Sequence, residues 1–474
     1  MSFQSVEYLI FLVIAFLLYW IVCSRERCMQ NGLLVAANLL FYGWWDWRFL
    51  GLMLMTALST FLAGRWIEES ECERCRRWIS AGTIVLNVGV LFVFKYYNFF
   101  VESLTDLINE IGGIGIGLST LDIILPVGIS FYTFTALSYS IDVYRRKIAA
   151  TDDYLAYFAY VSFFPAILSG PISNAQKQLP QYLMPRTFSR DRAVEGCKMF
   201  LYGALLKLCL ADRLGIYVDT VYSNIGFRNG STLLLTSVFY SLQIYGDFAG
   251  YSLMAIGSGK LFGIELPTNF IRPYLALSVT DFWRRWHISL TSWFRDYVYF
   301  PLGGNRCGRT RWMMNVMVVF LVSGLWHGAA YNFLLWGGIH GAIMVLERLV
   351  YGDRLKSIPH KFSLFNVCRW MLTFTLVNLL WVVFRVGDIH DLYIFFHHAI
   401  TTWGTPFPDL ETFLTGSLAI GIVVFHDLNE ELGWNVRLLS SRNAMIRYLT
   451  AILLVVYILS YGILNSNSFI YFQF

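Results

Sequence analysis

The chain has 474 residues, of which 57% are hydrophobic, 18% aromatic and only 14% charged. Soluble proteins carry about 25% charged residues, so lipid is the main solvent here and a string of soluble domains is excluded. The net charge of +5 sits in short basic clusters between apolar runs, the pattern of cytosolic loops in membrane proteins and not of a nucleic-acid surface.

Taken in chain order, "MSFQSVEY" has no basic n-region, and "LIFLVIAFLLYWIV" meets no A-x-A site before "CSRER". It is therefore read as an uncleaved first span over 6–23. Further apolar runs lie at 32–47, 49–64, 78–98 and 121–141. Arg25 and Arg27 follow the first span, Arg65, Arg74, Arg76 and Arg77 the third, and Arg145, Arg146 and Lys147 the fifth. With these in the cytosol, both termini face outward.

Between them, "ECERCRR" holds a lone C-x-x-C at Cys72 and Cys75, read as a reduced loop and not as a metal or redox site. Cys197, Cys209 and Cys368 fall in apolar runs and are expected to pack as small hydrophobes. The glycine-rich "IGGIGIGLST" (111–120) lacks the spacing of a nucleotide loop and is read as a turn. "YLAYFAYVSFFPAILSGP" (154–171) contains two prolines and is expected to be broken or re-entrant.

The remaining runs are 194–215, 232–256, 312–334, 335–350, 366–386, 409–427 and 446–464. A helix of about 20 apolar residues spans a bilayer, so an all-α protein with about eleven spans and two or three interfacial or re-entrant helices is predicted. No repeat or linker longer than about 15 residues interrupts the chain, which predicts a single domain over 1–474.

The most polar stretch is "DFWRRWHISLTSWFRDYVYFPLGGNR" (281–306). Read as one helix, it puts Trp283, His287, Leu290 and Phe294 on one face and Arg285, Ser289, Ser292 and Asp296 on the other, an amphipathic helix at the membrane surface. Arg284 and Arg285 suit phosphates, or lipid headgroups as interfacial basic residues commonly do. His287, on the aromatic face, is either a hydrogen-bonded core histidine or a functional one.

"LVSGLWHGAAYNFLLWGGIH" (321–340) reads as a lipid span that carries His327. Intramembrane ionisable groups are costly and point to function. Gly324, Gly328, Ala329 and Ala330 leave its surface bare, which suits a substrate or a closely packed helix. His340, thirteen positions on in a continuous helix, would point away from His327 and is read as structural. Asp247 in "LQIYGDFAGYS" either orients a histidine or arginine or forms a buried structural pair.

At these residues a family resemblance emerges. The segment 281–306 followed by "SGLWHGAAYNFLLWGGIHG" resembles the membrane-bound O-acyltransferase superfamily, in particular its bacterial alginate O-acetylation branch. "LLFYGWWDWRFL" (39–50), "LPVGISFYTFTALSYSIDVYRRK" (125–147), "FFPAILSGPI" (163–172) and "QIYGDFAGYSLMAIG" (243–257) are similar to the same branch, the strongest motifs lying within 125–345. Gly246 and Ala249 depart from the bulkier residues usual there.

The resemblance implies tilted helices around a central tunnel, with His327 as the catalytic histidine and His287 at the family's second polar position. It implies acetyl-CoA as donor, with no tightly bound cofactor and no metal. Arg284, Arg285 and Arg306 would meet the donor phosphates, with Trp326 and Asp247 counted among the donor-binding positions. It further implies a bacterial inner-membrane enzyme that works with a periplasmic SGNH-hydrolase-like partner to acetylate an exopolysaccharide such as alginate. The alternatives are D-alanyl transfer to teichoic acid and a non-enzymatic transporter or export subunit.

Overall fold

The computed structural model describes residues 1, 3–23, 26–112, 117–352, 363–407 and 409–464, and their regular structure is entirely helical. Two compact units divide the chain. The first is Met1, Val6–Ala193 and Ser258–Pro267, and the second is Ser2–Ser5, Val194–Gly257 and Thr268–Phe474.

The first unit contains α1 (Val6–Leu17), α2 (Arg27–Asp46), α3 (Leu50–Glu69), α4 (Glu73–Lys95), α5 (Tyr97–Gly112), α6 (Ile129–Tyr144), α7 (Tyr154–Val161), α8 (Phe164–Ile167) and α9 (Ala175–Gln178). The predicted break in 154–171 is real: α7 ends at Val161 and α8 starts at Phe164. A helix interruption exposes backbone groups that lipid cannot satisfy. Here Asn38 of α2 satisfies one of them, its Oδ1 accepting from Phe164 N (2.8 Å), while its Nδ2 donates to the Ser162 hydroxyl (2.9 Å).

One expectation changes in this unit. The run 121–141 becomes helical only at Ile129, because Pro126 and a left-handed Gly128 (φ +76°) delay it. α6 is buried almost throughout and so packs as a core helix. Of the glycine-rich turn, residues 113–116 lie outside the described residues; Gly112 ends α5 and 117–120 are non-helical.

The second unit holds most of α10 (Arg190–Ala204), then α11 (Asp212–Tyr222), most of α12 (Gly230–Leu261), α13 (Val279–Arg285), α14 (Ile288–Phe294), α15 (Arg309–His327), α16 (Tyr331–Tyr351), α17 (Leu364–Arg385), α18 (Ile389–Thr401), α19 (Leu410–Leu432) and α20 (Ala444–Tyr461). Residues 205–211 form a π-helical turn that joins α10 to α11. Cys209 is buried, as expected, but Cys197 and Cys368 are exposed.

Six helical stretches among the described residues are long and apolar enough to cross a membrane: Arg27–Glu69, Glu73–Lys95, Tyr331–Tyr351, Leu364–Arg385, Leu410–Leu432 and Ala444–Tyr461. α20 is the plainest case, with Leu449, Ile452, Leu453, Val456 and Leu459 all at least half exposed, as a lipid-facing surface requires.

The run 321–340 is not one span. α15 stops at His327, residues 328–330 are extended, and α16 begins at Tyr331. Gly324 and Gly328 serve helix packing and do not clear space. A Cβ on Gly324 would land on the Phe333 carbonyl, one on Gly337 on the Phe320 carbonyl, and one on Gly328 in the Phe333 ring. α15 and α16 thus form a close hairpin, backbone against backbone.

Candidate active site

The segment 281–306 is also broken where periodicity predicts one amphipathic helix. α13 ends at Arg285, Trp286 is extended, and His287 sits in the left-handed region (φ +43°) before α14 begins at Ile288. A non-glycine residue rarely adopts that conformation. The start of α13 is fixed by Glu347 of α16, whose carboxylate accepts from Val279 N (2.7 Å) and Thr280 N (2.8 Å). Those amides are orphan donors of the first turn, so an acid there satisfies both hydrogen bonding and the helix dipole.

The break removes the expected faces. Arg285 is no solvent-facing cation: its guanidinium forks onto Glu431 of α19 (Nη1–Oε2 and Nη2–Oε1, both 3.0 Å) and reaches Asp281 (Nε–Oδ2, 3.2 Å). Arg272 joins the same carboxylate at 2.7 Å. Glu431→Gln should cost about 3 kcal/mol, since it removes the charge facing two largely buried guanidiniums. A lower midpoint of thermal unfolding in detergent, with Glu431→Asp closer to wild type, checks this.

His287 is fully buried. Its Nδ1 lies 3.0 Å from Asn269 Oδ1, and its ring packs edge-on against Phe248 (4.5 Å between centroids) and Trp326 (5.8 Å). The residue lies outside the six long apolar helices, and burial pushes its imidazole down to about 3. It is therefore neutral near pH 7, one nitrogen a donor and the other an acceptor.

His327 closes α15 and is 3% exposed. Its ring stands edge-on to Trp326 (5.0 Å), Trp336 (5.2 Å) and Phe384 (5.3 Å). Trp326 thus touches both His287 and His327, which places the two sequence-selected histidines on one indole. His340, expected to point away, packs on the far partner Trp336 (4.9 Å), because the break at 328–330 voids the continuous-helix angle. Trp283 Nε1 donates to His340 Nδ1 at 3.2 Å, in keeping with a structural role.

Asp247 is held in a buried ion pair. Its partner is Lys207 (2.6 Å), which also bonds Asp212 (2.7 Å), and all three side chains are buried. A buried lysine stays charged only when carboxylates surround it. Of the two readings open for Asp247, the buried pair is the one observed.

Two cavities flank this core within the second unit. One, of about 570 Å³, is lined by Arg284, Arg295, Arg309, Arg348, Trp312 and Phe320, among others. Phe320 is also the floor beneath Trp283 (5.3 Å). Arg285 and Arg306 do not line it. The larger, about 1340 Å³, lies among α10, α12, α19 and α20 and includes Ser252 and Asn269 in its wall. Arg295, Arg309 and Arg348 escaped the sequence reading because they come from three separate elements. Asn269 escaped because nothing in its neighbourhood marks it. No cluster of metal-ligating side chains occurs among the described residues.

Comparison with known proteins bears on the same residues. The family model described as MBOAT, membrane-bound O-acyltransferase family, matches residues 145–384 and so spans both histidines. The chain is 37% identical over 395 residues to the Pseudomonas putida protein named Probable alginate O-acetylase AlgI, covering 82% of this chain and 78% of that one. It is 31% identical to the Helicobacter pylori peptidoglycan O-acetyltransferase (80% and 76% covered). It is 28% identical to the Bacillus subtilis teichoic acid D-alanyltransferase, where only 46% and 58% are covered. A multi-pass helical chain, a broken helix presenting a buried histidine, and these matches converge: the protein is an O-acyltransferase and belongs to the membrane-bound O-acyltransferase family.

Proposed function

We propose that the enzyme takes an acetyl group from cytosolic acetyl-CoA and passes it across the membrane for O-acetylation of an extracytoplasmic polysaccharide, alginate or a similar exopolysaccharide. The observation that carries this reading is the pair of buried histidines, His287 and His327, both packed against Trp326. Coverage favours acetyl over D-alanyl transfer: the acetylase relatives match some four-fifths of the chain, the D-alanyltransferases 46% and 56%.

His327 is the general base. It takes the proton of the acceptor hydroxyl as the oxygen bonds the thioester carbonyl carbon; the C–S bond then breaks and the CoA thiolate leaves with a proton. His287 either positions a substrate or polarises the carbonyl as the oxyanion forms. The donor phosphates sit in the arginine-lined cavity, so Arg284 is kept in the donor set, Arg295, Arg309 and Arg348 join it, and Arg285 is held by Glu431. Trp326 forms the wall along which the thioester reaches the histidines.

The whole chain, 1–474, works as one catalytic domain of the bacterial inner membrane. It has about eleven crossings plus interfacial and re-entrant pieces around a tunnel, and both termini are periplasmic. A periplasmic SGNH-hydrolase-like protein receives the acetyl group.

The test uses membranes containing the full chain, labelled acetyl-CoA, the partner and the polymer. Arg284→Glu with Arg309→Glu should raise KM for acetyl-CoA about 10–100-fold, the worth of one or two charge-assisted phosphate bonds. KM for acetyl-pantetheine, which lacks the nucleotide, should stay unchanged. An equal loss with both donors would remove the phosphates from this cavity, and labelling only from a D-alanyl carrier would replace acetyl transfer altogether.

A further inference from the structure

Asn269, 1% exposed, holds the His287 turn with both its main chain and its side chain. Ile288 N donates to Asn269 O (2.9 Å), and Ile271 N to Arg285 O (3.0 Å), so the strained turn is tied back to 269–271. A left-handed non-glycine residue costs about 1 kcal/mol or more and persists only where its surroundings over-determine it.

The side chain then decides a protonation state. A backbone N–H can only donate, and Ser289 N points at Asn269 Oδ1 (3.3 Å), as does Ser289 Oγ (2.9 Å). That atom must therefore be the amide oxygen, and the other end, Nδ2, donates to Ser252 Oγ (3.1 Å). His287 Nδ1 faces the same oxygen at 3.0 Å and so must carry the ring's proton. A neutral imidazole has one N–H. His287 Nε2 is consequently a bare lone pair, and it is buried with no hydrogen-bond partner among the described residues. The aromatic rings packed against it, Phe248, Phe270 and Trp326, are uncharged.

We infer that Asn269 is a positioning residue of the acyl-transfer site, locking His287 in the Nδ1–H tautomer so that Nε2 accepts a hydrogen bond from an N–H or O–H of the acceptor other than the reacting hydroxyl. This rests on the proposed function and decides between the two roles it leaves to His287. An Nε2 without a proton cannot donate to an oxyanion, so His287 orients the acceptor, whose reacting hydroxyl gives its single proton to His327.

The experiment has two arms on the full chain in proteoliposomes. In the first, ¹⁵N-histidine spectra, with the His287 signals assigned by their loss in His287→Gln, should give a protonated Nδ1 and a bare Nε2. Asn269→Leu should mix the tautomers, whereas Asn269→Asp, which keeps the acceptor, should retain Nδ1–H. A proton on Nε2 in the wild type overturns the inference, whatever the transfer rates.

In the second arm, Asn269→Leu should lower kcat about 10–100-fold, the scale of a mispositioned proton-transfer group, with KM for acetyl-CoA within about twofold. Asn269→Asp should recover most of kcat near about pH 8 and lose it on acidification. Its carboxylate raises the His287 pKa, so that falling pH protonates Nε2 and the acid limb of Asn269→Asp lies at higher pH than that of the wild type. Wild-type kcat in Asn269→Leu would refute the positioning role. If the wild type itself transfers nothing from acetyl-CoA, the proposed function fails separately, and the spectra still decide the tautomer.

Discussion

His327→Gln is expected to lose acyl transfer by about 10²–10⁴-fold, the contribution of a positioned general base. KM for the donor should change little, because the arginine-lined cavity does not include His327. Glutamine keeps a polar side chain of similar length among Trp326, Trp336 and Phe384, so the amount of folded protein should match wild type. Initial rates of label transfer at equal protein level check this, and a variant that retains half the wild-type rate or more would remove His327 from the chemistry.

Gly324→Val is expected to be among the most destabilising single changes in the second unit. The new Cβ meets the Phe333 carbonyl and not a movable side-chain tip, so α15 and α16 must separate. Overpacking typically costs about 1–3 kcal/mol, and more where backbone has to shift. Lipid provides no hydrophobic force to reseat the pair, since helix association in membranes relies on such close packing. The midpoint of thermal unfolding should fall by several degrees, and activity should fall with it because His327 lies three residues on. Gly338→Ala is the control: its Cβ meets only Leu321 Cδ2 at 3.7 Å and should be neutral.

Both catalytic candidates were visible in the chain before its structure. A histidine in an apolar run is chemically conspicuous, and each stands inside a long, distinctive motif. The interruption of 154–171 was equally legible, because proline states its backbone consequences locally. The conformation of His287 was not. Nothing in "RRWHIS" demands a left-handed residue, and helical periodicity drawn through it put Arg285 on a free cationic face. The actual geometry depends on Asn269, 18 residues upstream, and on Glu431, 146 residues downstream of Arg285. The glycines beside His327 left two readings open, substrate space or helix contact, and only the position of Phe333 separates them.

By itself, then, the sequence determined a lipid-solvated all-helical chain, its family through two ordered motifs, and the two histidines. These rest on composition, local backbone rules and residue chemistry, all of which act over a few positions. Only the tertiary structure decided that His287 and His327 share Trp326, that Arg285 is held by Glu431 while four other arginines line a cavity, and that Asn269 dictates which His287 nitrogen keeps its proton. The reason is physical: burial leaves each polar group dependent on whichever partner the packing brings within about 3 Å, and that partner carries no mark in the adjacent sequence.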